Sequence, residues 1–406
     1  MAEPVDAPGL GPGPFGGGGS SPLVRTLVPH LVAAPDKFRG TATAAEVAAA
    51  ASRGARAEGW SVGELPLADG GEGTLDVLSR AMGGERRRAT VRGPLGEPVE
   101  ATWLFVPHGL PNGMPLPAAV GRPGPGAGDG PVAVIESALA AGRALLAEPR
   151  GDDPVRARTD GVGDLILVAL EAGARVVVVG AGGTATTDGG WGAVSALRST
   201  PRLGDATVVV ACDVSTPFCN AAETFSRQKG ATPSQVAMLS SRLARLAARY
   251  RDELGVDVDQ LSGAGAAGGL AGGLAALGAH LVPGLALVAS FFDLERRIAG
   301  ADLVMTGEGR VDATSFDGKV VGGVLAAAGG LVPALCVAGQ LEPGVERFWS
   351  RRPGRVDAVS LAVRTVVEGA GRIPTATPEV TGAVLDLVAA ACRQWGGDGV
   401  QLASPR

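Results

Sequence analysis

Short apolar runs alternate along the chain with segments that have helical periodicity. The runs cover residues 28–34, 61–67, 175–180, 206–211, 302–306 and 334–338. A helix that Thr41 or Thr43 can cap is expected to end near residue 57, and a second helix is expected to start at Thr74. Strands that alternate with helices are typical of a parallel sheet covered on both faces. The pattern therefore predicts an α/β fold.

The length of the chain predicts more than one domain. Its 406 residues exceed what one hydrophobic core ordinarily organises. Residues 1–27 are rich in Pro, Gly and Ser and are expected to form a disordered tail, and residues 396–406 are expected to form a second tail. Residues 107–131 have a similar composition and are interpreted as a surface loop.

The charge pattern argues against a nucleic-acid partner. Lys and Arg number 36 against 41 Asp and Glu, which gives a formal net charge of −5. No run of five like charges occurs, so the basic patch that binds a phosphate backbone is missing. The one basic cluster, residues 85–88, is interpreted as a solvated turn.

Cysteine usage and hydropathy indicate the compartment. The four cysteines, Cys212, Cys219, Cys336 and Cys392, are scattered and have no metal-ligand spacing. No segment reaches the roughly 18 consecutive apolar residues of a membrane span, and the N-terminus lacks a signal-peptide pattern. We expect a reduced, cytoplasmic protein with no membrane partner.

The pattern Asp-Gly-Gly-x-Gly occurs twice, each time shortly after a predicted strand. It begins at Asp69 and again at Asp188. Ligands of open α/β sheets bind beyond the carboxyl ends of the strands, so both aspartates are candidates for chemistry. The alternative is structural, because an aspartate at this place can also cap the next helix.

A glycine- and threonine-rich segment after the strand at residues 175–180 is a candidate cradle for an anion. Gly182, Gly183 and Thr184 expose backbone N–H groups and a hydroxyl that can surround phosphate or carboxylate oxygens. Asp188, at the end of this segment, can accept the proton of an attacking hydroxyl or hold Mg²⁺, and both roles stay open. A Walker loop is absent; its nearest approach surrounds Lys319.

Residues 302–312 suggest a second loop with charged side chains. A strand is followed by a predicted glycine turn that carries Glu308 and Asp312, and hard carboxylate oxygens suit Mg²⁺. An ion-paired turn is the alternative. Lys37 and Lys229 are candidate phosphate cations, although lone lysines are commonly exposed surface residues.

A dinucleotide fingerprint competes with this interpretation. Residues 180–185 satisfy G-x-G-x-x-A, and Gly263, Gly265 and Gly268 satisfy G-x-G-x-x-G. Such triplets arise by chance in a chain with 64 glycines. The segment after residue 185 is a poor helix former, and no acidic residue ends a strand about 20 residues later. A nicotinamide-binding enzyme is therefore the less favoured alternative.

Taken together, the motifs resemble the type I glycerate kinase family. Nine collinear blocks carry the resemblance: APDKFRGTATAAEVA from Ala34, PLADGGEGTLDVL from Pro66, GPLGEPVEATW from Gly93, VIESALAAG from Val134, GVGDLILVALEAGARVVVVGAGGTATTDGG from Gly161, VACDVSTPFC from Val210, QKGATPSQV from Gln228, GAGAAGGLAGGL from Gly263 and ADLVMTGEGRVDATSFDGKV from Ala301.

The resemblance implies ATP- and Mg²⁺-dependent phosphorylation of D-glycerate, commonly at the 2-hydroxyl to give 2-phosphoglycerate. It implies a Rossmann-like parallel-sheet domain formed by both chain ends, residues 28–84 plus 285–395, with a second α/β domain of residues 85–284 inserted and a cleft between them. The partner would be a small molecule, and the chain would be a monomer or a homodimer.

The motifs and the resemblance give three groups of candidate site residues. The catalytic candidates are Asp69, Asp188 and Lys229; the candidates for binding substrate or phosphate are Asp36, Lys37, Gly70, Gly71, Glu72, Gly182, Gly183, Thr184 and Lys319; and the candidate metal ligands are Glu308 and Asp312.

Three departures from the family pattern leave a further alternative open. The connection over residues 198–207 is short, the segment from Asn220 to Gln228 lacks glycines that the family has, and Thr187 replaces a common Asn. A kinase-like protein that binds a ligand without catalysis would tolerate such changes. Retention of the charged candidates favours an active enzyme.

Overall fold

The computed structural model describes residues 28–110, 130–146, 153–316, 318–345, 361–365 and 376–397, which form two sheets with helices around them. The strands of the first sheet are β1 (His30–Ala33), β2 (Ser61–Glu64), β9 (Leu303–Val311), β10 (Ala334–Leu341) and β11 (Leu361–Thr365). They are all parallel, in the order β2-β1-β9-β10-β11.

The second sheet has six strands in sequential order. They are β3 (Glu85–Arg92), β4 (Pro98–Val106), β5 (Val132–Glu136), β6 (Val176–Ala181), β7 (Thr207–Cys212) and β8 (His280–Pro283). Strands β3, β4 and β5 pair antiparallel, and β5 to β8 pair parallel. The α/β fold class with parallel sheets is confirmed. The boundaries assigned to the two domains stay a prediction.

Twelve α-helices lie in the described part of the chain. They are α1 (Ala44–Ala57), α2 (Thr74–Met82), α3 (Ala138–Ala141), α4 (Asp160–Glu171), α5 (Trp191–Leu197), α6 (Ala221–Phe225), α7 (Pro233–Leu254), α8 (Ala266–Ala276), α9 (Gly284–Phe292), α10 (Leu294–Ala299), α11 (Val320–Ala328) and α12 (Thr377–Gly397).

Helix α1 begins where the sequence predicts. Thr43 is its N-cap: the hydroxyl accepts from Glu46 N at 3.2 Å, and Glu46 Oε2 accepts from Thr43 N at 2.8 Å. This capping box satisfies two backbone donors that the first turn leaves free. Of the two predicted caps, Thr43 is therefore the one used.

The strands alternate their side chains between two apolar layers, as strand geometry requires. Val32 and Val304 of the first sheet share one core with Val178 and Val209 of the second, and helices α2, α9, α10 and α11 contribute to it. Helices α1 and α12 cover the opposite face of the first sheet. Helices α4, α5 and α8 cover the opposite face of the second. The two sheets are thus held together by a common apolar layer.

Two local predictions are wrong. Residues 85–88 begin strand β3 instead of forming a turn, because they pair with residues 102–105 of β4. Residues 307–311 continue strand β9 instead of turning, because they pair with β10 as far as Val311. Glycine suits β9 for a packing reason: a Cβ on Gly307 would lie 2.0 Å from Val337 O.

Several expectations from the sequence concern segments that lie wholly or partly outside the described residues. The predicted tail at residues 1–27 lies outside the described residues, as do residues 111–129 of the predicted surface loop and residues 398–406 of the second predicted tail. Gly396, placed in that tail, belongs to helix α12.

Candidate active site

The strand order of the first sheet creates a crevice at the carboxyl ends of β1 and β9. In chain order its strands run 2-1-3-4-5, so the connections leave β1 and β9 in opposite directions at this point. Sheets of this kind bind ligands at such a switch point. The chain leaving β1 stays against β9, because Asp36 N donates to Gly307 O at 2.8 Å. The crevice therefore receives the side chains of both strand ends.

Asp36 and Lys37 supply the charged groups at the end of β1. Asp36 is buried, and its Oδ1 accepts from Lys37 N at 2.7 Å. Lys37 Nζ lies 3.7 Å from Asp36 Oδ1 and 4.0 Å from Asp69 Oδ1. Burial raises the pKa of Asp36 to about 6, although the charge of Lys37 opposes this. The ammonium group of Lys37 thus lies between two carboxylates.

Glu308 faces the same crevice from β9. Its Oε1 is buried and has no hydrogen-bond partner among the described residues. Burial raises the pKa of Glu308 to about 7; the Ser315 side chain lowers it, and the charge of Asp36 raises it further. A buried oxygen without a donor is costly unless a ligand satisfies it. This atom is therefore a candidate ligand for a cation.

Asp312 and Lys319 follow β9 along the chain. Asp312 Oδ1 accepts from Thr314 N at 2.8 Å and from Thr314 Oγ1 at 2.6 Å, and Lys319 Nζ donates to Thr314 Oγ1 at 3.0 Å. Burial alone would raise the pKa of Asp312, but the Thr314 hydrogen bonds and the charge of Lys319 lower it below its usual value. Asp312 is therefore an ionised carboxylate.

One cavity of about 430 Å³ brings these predicted residues together. Its lining includes six of them: Asp36, Lys37, Asp69, Glu308, Asp312 and Lys319. A neighbouring cavity of about 820 Å³ shares Asp36 and Lys37 and adds Glu72. Both volumes are in the range of small-molecule sites. Six candidates chosen from scattered motifs thus line one cavity.

The turn that carries Asp69 lies where the two sheets meet. Gly70 has φ +94°, and a Cβ there would lie 3.0 Å from Ala211 O at the end of β7. A Cβ on Gly182, at the end of β6, would lie 2.7 Å from Gly71 Cα. Glycines are needed here because two backbones approach each other closely. The turn therefore brings Asp69 to the strand ends of the second sheet.

Asp213 is a further candidate residue that the sequence interpretation did not include. It directly follows β7, and its Oδ2 lies near Gly182. Burial raises the pKa of Asp213 to about 6, the charge of Asp69 raises it further, and the charges of Lys319 and Lys37 lower it. The sequence signal that could have identified Asp213 was its position directly after a buried parallel strand, next to Cys212.

Glu136 was missed in the same way. It ends β5, and its Oε1 accepts from Leu75 N, in the first turn of α2, at 2.7 Å. Burial raises its pKa to about 7 against the effect of that hydrogen bond. Glu136 also lines the 820 Å³ cavity. Its carboxylate anchors α2 beside the site.

Lys229 lies beneath the loop of Gly182, Gly183 and Thr184. Its side chain is buried; Nζ donates to Thr186 O at 2.6 Å and lies 3.4 Å from Thr184 Oγ1. Burial lowers the pKa of Lys229 to about 8, although Asp188 and Asp213 oppose the shift. The lysine therefore holds the loop from below and places positive charge beside it.

Asp188 is engaged on both carboxylate oxygens. Oδ2 accepts from Thr159 N, Thr159 Oγ1 and Gly192 N at 3.0, 2.9 and 3.1 Å, and Oδ1 accepts from Gly190 N at 3.1 Å. The side chain is buried and does not line the cavity that contains Asp69. This geometry is that of the structural alternative, in which the carboxylate orders the entry to α5.

The dinucleotide fingerprints do not have the expected surroundings. Strand β6 ends at Ala181, and the next helix, α5, begins only at Trp191. A dinucleotide-binding fingerprint should open a helix directly. Gly263 and Gly265 follow a short 3-10 helix instead of a strand.

The residues present fit a magnesium ion in the 430 Å³ cavity. Mg²⁺ usually takes one or two protein carboxylates and completes its shell with water and phosphate oxygens. The unpartnered Glu308 Oε1 and the ionised Asp312 supply two such groups. Among the described residues no cluster of three or more His, Cys, Asp or Glu side chains has the geometry of a complete metal site.

Hydropathy and cysteine state add two general properties of the described residues. No helix in the described ranges is long and apolar enough to cross a membrane. Cys212, Cys219, Cys336 and Cys392 are all free cysteines.

Comparison with known proteins identifies relatives over most of the chain. The model of the "Glycerate kinase family" matches residues 31–200 and 198–380. A protein of Escherichia coli K12 named "Glycerate 2-kinase" is 38% identical over 332 residues, which is 72% of this chain and 80% of that protein. A "Glycerate kinase" of Bacillus subtilis 168 is 34% identical over 80% of this chain and 91% of its own length.

A solved structure has the same overall fold. The crystal structure of a protein described as a glycerate kinase 2 from Salmonella typhimurium LT2 superposes with a TM-score of 0.70 at 31% identity. The match covers 91% of this chain and 99% of that one.

Proposed function

The chain belongs to the glycerate kinase family and is a kinase, and we propose that it transfers the γ-phosphate of ATP to the 2-hydroxyl of D-glycerate. The product is 2-phosphoglycerate. The observation that carries the proposal is the meeting of two sets of charged groups: the 430 Å³ cavity at the end of β1 and β9, and Asp213 with the glycine loop at the ends of β6 and β7.

The phosphate chain belongs beside the first sheet in this proposal. Lys37 and Lys319 line the cavity and supply positive charge for the phosphate oxygens. Glu308 and Asp312 would hold Mg²⁺, which when bound neutralises charge on the β- and γ-phosphates. Asp36 keeps Lys37 in place through the contact with its Oδ1. Catalysis of this kind rests on positioning and electrostatics.

The acceptor belongs beside the second sheet. Backbone N–H groups of the loop of Gly182, Gly183 and Thr184, with the positive charge of Lys229 below, suit the carboxylate of glycerate. Asp213, next to Gly182, accepts the hydroxyl proton as the oxygen attacks the γ-phosphorus and the bond to ADP breaks. A pKa raised to about 6 suits a base that must be ionised at neutral pH yet bind a proton readily.

The proton acceptor is thus assigned to Asp213 rather than to Asp188 or Asp69. Asp188 has both oxygens occupied by backbone and hydroxyl donors. Asp69 Oδ1 accepts from Gly71 N at 3.3 Å and faces Lys37. We propose that Asp69 orients Lys37 and tunes Asp213 through its charge.

A comparison of acceptors tests which hydroxyl reacts. ADP release is measured with D-glycerate, D-lactate, which lacks the 3-hydroxyl, and 3-hydroxypropionate, which lacks the 2-hydroxyl. Turnover of D-glycerate and D-lactate but not of 3-hydroxypropionate is expected. Turnover of 3-hydroxypropionate but not of D-lactate would contradict the choice of the 2-hydroxyl. A folded protein that turns over none of these acids would be a binding protein instead.

Glu308→Gln and Asp312→Asn test the metal assignment. Either variant should raise the Mg²⁺ concentration needed for half-maximal activity at least tenfold, because each removes a charged oxygen ligand. Glu171→Gln, an exposed position at the end of α4, is the control and should leave that concentration unchanged. An unaltered Mg²⁺ requirement in both site variants would exclude these two ligands.

We further propose that the enzyme works in the cytoplasm, where ATP and Mg²⁺ are abundant. The four free thiols support a reducing compartment.

A further inference from the structure

A second large cavity lies on the second sheet, away from the proposed catalytic cleft. It has a volume of about 750 Å³ and shares no lining residue with the two cavities around Lys37. Six arginines line it: Arg92, Arg156, Arg158, Arg242, Arg245 and Arg249. Two carboxylates, Asp160 and Asp188, also line it, so the formal charge of the wall is +4. The whole chain, in contrast, carries −5.

Three of these arginines form a stripe on helix α7. Arg242, Arg245 and Arg249 are spaced i, i+3 and i+7 on this 22-residue helix, so they share one face. Like charges at this spacing repel each other. Arg249 Nε donates to Glu253 Oε1 at 2.7 Å, and Arg242 Nη1 donates to Val155 O at 2.8 Å. Within the described chain no ion pair or hydrogen bond of Arg245 is present, so the stripe lacks enough anions of its own.

The arginines on the other wall are held in place. Asp160 accepts from Arg158 Nε at 2.6 Å and from Arg92 Nη1 at 3.1 Å, and Asp164 accepts from Arg92 Nη2 at 2.6 Å. These pairs fix two guanidinium groups at the rim of the cavity. Each of these guanidinium groups already gives its parallel N–H pair to a carboxylate, Arg92 to Asp164 and Arg158 to Asp160, so they shape the rim and leave the phosphate to the arginines of α7.

The cavity also has an aromatic wall. Trp191 lines it at the start of α5, and the guanidinium carbon of Arg249 lies 4.1 Å from the ring centroid. Leu246 adds apolar surface. A volume of about 750 Å³ exceeds what inorganic phosphate fills and suits a ligand with a ring or a sugar in addition to phosphate.

We propose that this cavity is a second binding site, which takes a phosphorylated small molecule of nucleotide size outside the catalytic cleft. The arginine stripe of α7 binds the phosphate groups, and Trp191 contacts the rest of the ligand. Two sources share this chemistry, a nucleotide and a phosphorylated hydroxy acid. The aromatic wall favours a nucleotide, so ADP is the first probe and 2-phosphoglycerate the second.

Calorimetric titration of the full chain with ADP tests the site. We expect two ADP sites in the parent chain. The double variant Arg242→Gln/Arg245→Gln should lose one of them or bind ADP there at least tenfold more weakly, while KM for ATP stays within twofold. Arg53→Gln/Arg56→Gln is the matched control, because these exposed arginines have the same i, i+3 spacing on α1. It should keep both sites. Circular dichroism checks that each variant is folded.

Trp191→Phe gives a second readout. ADP should quench tryptophan fluorescence in the parent chain, and the variant should lose that quenching while it keeps most of the affinity. Pyrophosphate should compete with ADP without quenching. If 2-phosphoglycerate alone binds and is sensitive to the α7 variant, the ligand is a phosphorylated acid.

Three results would overturn the proposal. The first is the absence of binding by ADP, 2-phosphoglycerate and pyrophosphate at this cavity. The second is binding that the α7 variant leaves unchanged. The third is a loss of ADP binding together with at least a tenfold rise in KM for ATP, which would make the cavity the donor site rather than a second one.

Discussion

Asp213 determines how the proposed chemistry depends on pH. Its pKa is raised to about 6 by burial and by Asp69, while Lys37, Lys319 and the nearby Lys229 favour the ionised form. Since a base must be ionised, kcat/KM should rise with pH through about 6. Asp213→Asn should lower kcat by about 10²–10⁴ and remove this limb from the pH–rate profile. An intact limb in the variant would assign it to another group.

Burial of Asp213 is also expected to lower the free energy of unfolding at neutral pH. A carboxyl whose pKa is raised by folding stabilises the protein below its unfolded pKa of 3.8, and this contribution is lost as pH rises through about 6. Asp213→Asn should therefore raise the free energy of unfolding at pH 7 by about 2–3 kcal/mol, and not at pH 3.5. Urea unfolding measures this. The exposed Asp205→Asn should change neither value, and equal stability of Asp213→Asn and parent at pH 7 would contradict the argument.

Asp188 is expected to act on stability rather than on the chemical step. Asp188→Asn leaves one accepting oxygen where the carboxylate has two, so the donors on Oδ2 (Thr159 and Gly192) and the donor on Oδ1 (Gly190 N) cannot all be satisfied, and unfolding in urea should require about 1–3 kcal/mol less. Thr159→Val removes one of these hydrogen bonds and should have a smaller effect of the same sign. If Asp188→Asn keeps full stability but loses turnover, Asp188 is the proton acceptor after all.

At the scale of elements, the contact between the Asp69 turn and the end of β6 holds the two halves of the site together. Gly182→Ala should raise KM for glycerate and lower kcat, because its Cβ would lie 2.7 Å from Gly71 Cα and push the turn away. Steady-state kinetics measures both constants. Gly204→Ala is the control, since a Cβ there meets nothing within 4 Å. Parent-like kinetics for Gly182→Ala would show that the close approach is unimportant.

The sequence predicted an element correctly where one or two residues determine the local structure. Thr43 with Glu46 marked the start of α1, and the glycines after Asp69 marked a tight turn. Residues 85–88 were interpreted wrongly because their charge pattern resembles a turn, whereas pairing with β4 depends on a partner strand that local sequence does not name. Likewise, pairing with β10 extends β9 past Gly307.

At the scale of the whole molecule, the α/β class could be predicted from the sequence, but the packing of the two sheets against each other could not. The motifs named Asp36, Lys37, Asp69, Glu308, Asp312 and Lys319, which line one cavity. Asp213 was missed because its importance comes from the turn that folds against β7. For the same reason, sequence alone could not separate Asp188 from Asp69, although both have the same local motif.

The identity of the product tests the central claim most directly. The purified chain is incubated with D-glycerate, ATP and Mg²⁺, and the product is supplied to enolase with and without phosphoglycerate mutase. We predict that phosphoenolpyruvate forms at the same rate without the mutase, since enolase accepts 2-phosphoglycerate directly. Formation of phosphoenolpyruvate only when the mutase is present would mean that the 3-hydroxyl is phosphorylated and would contradict the account.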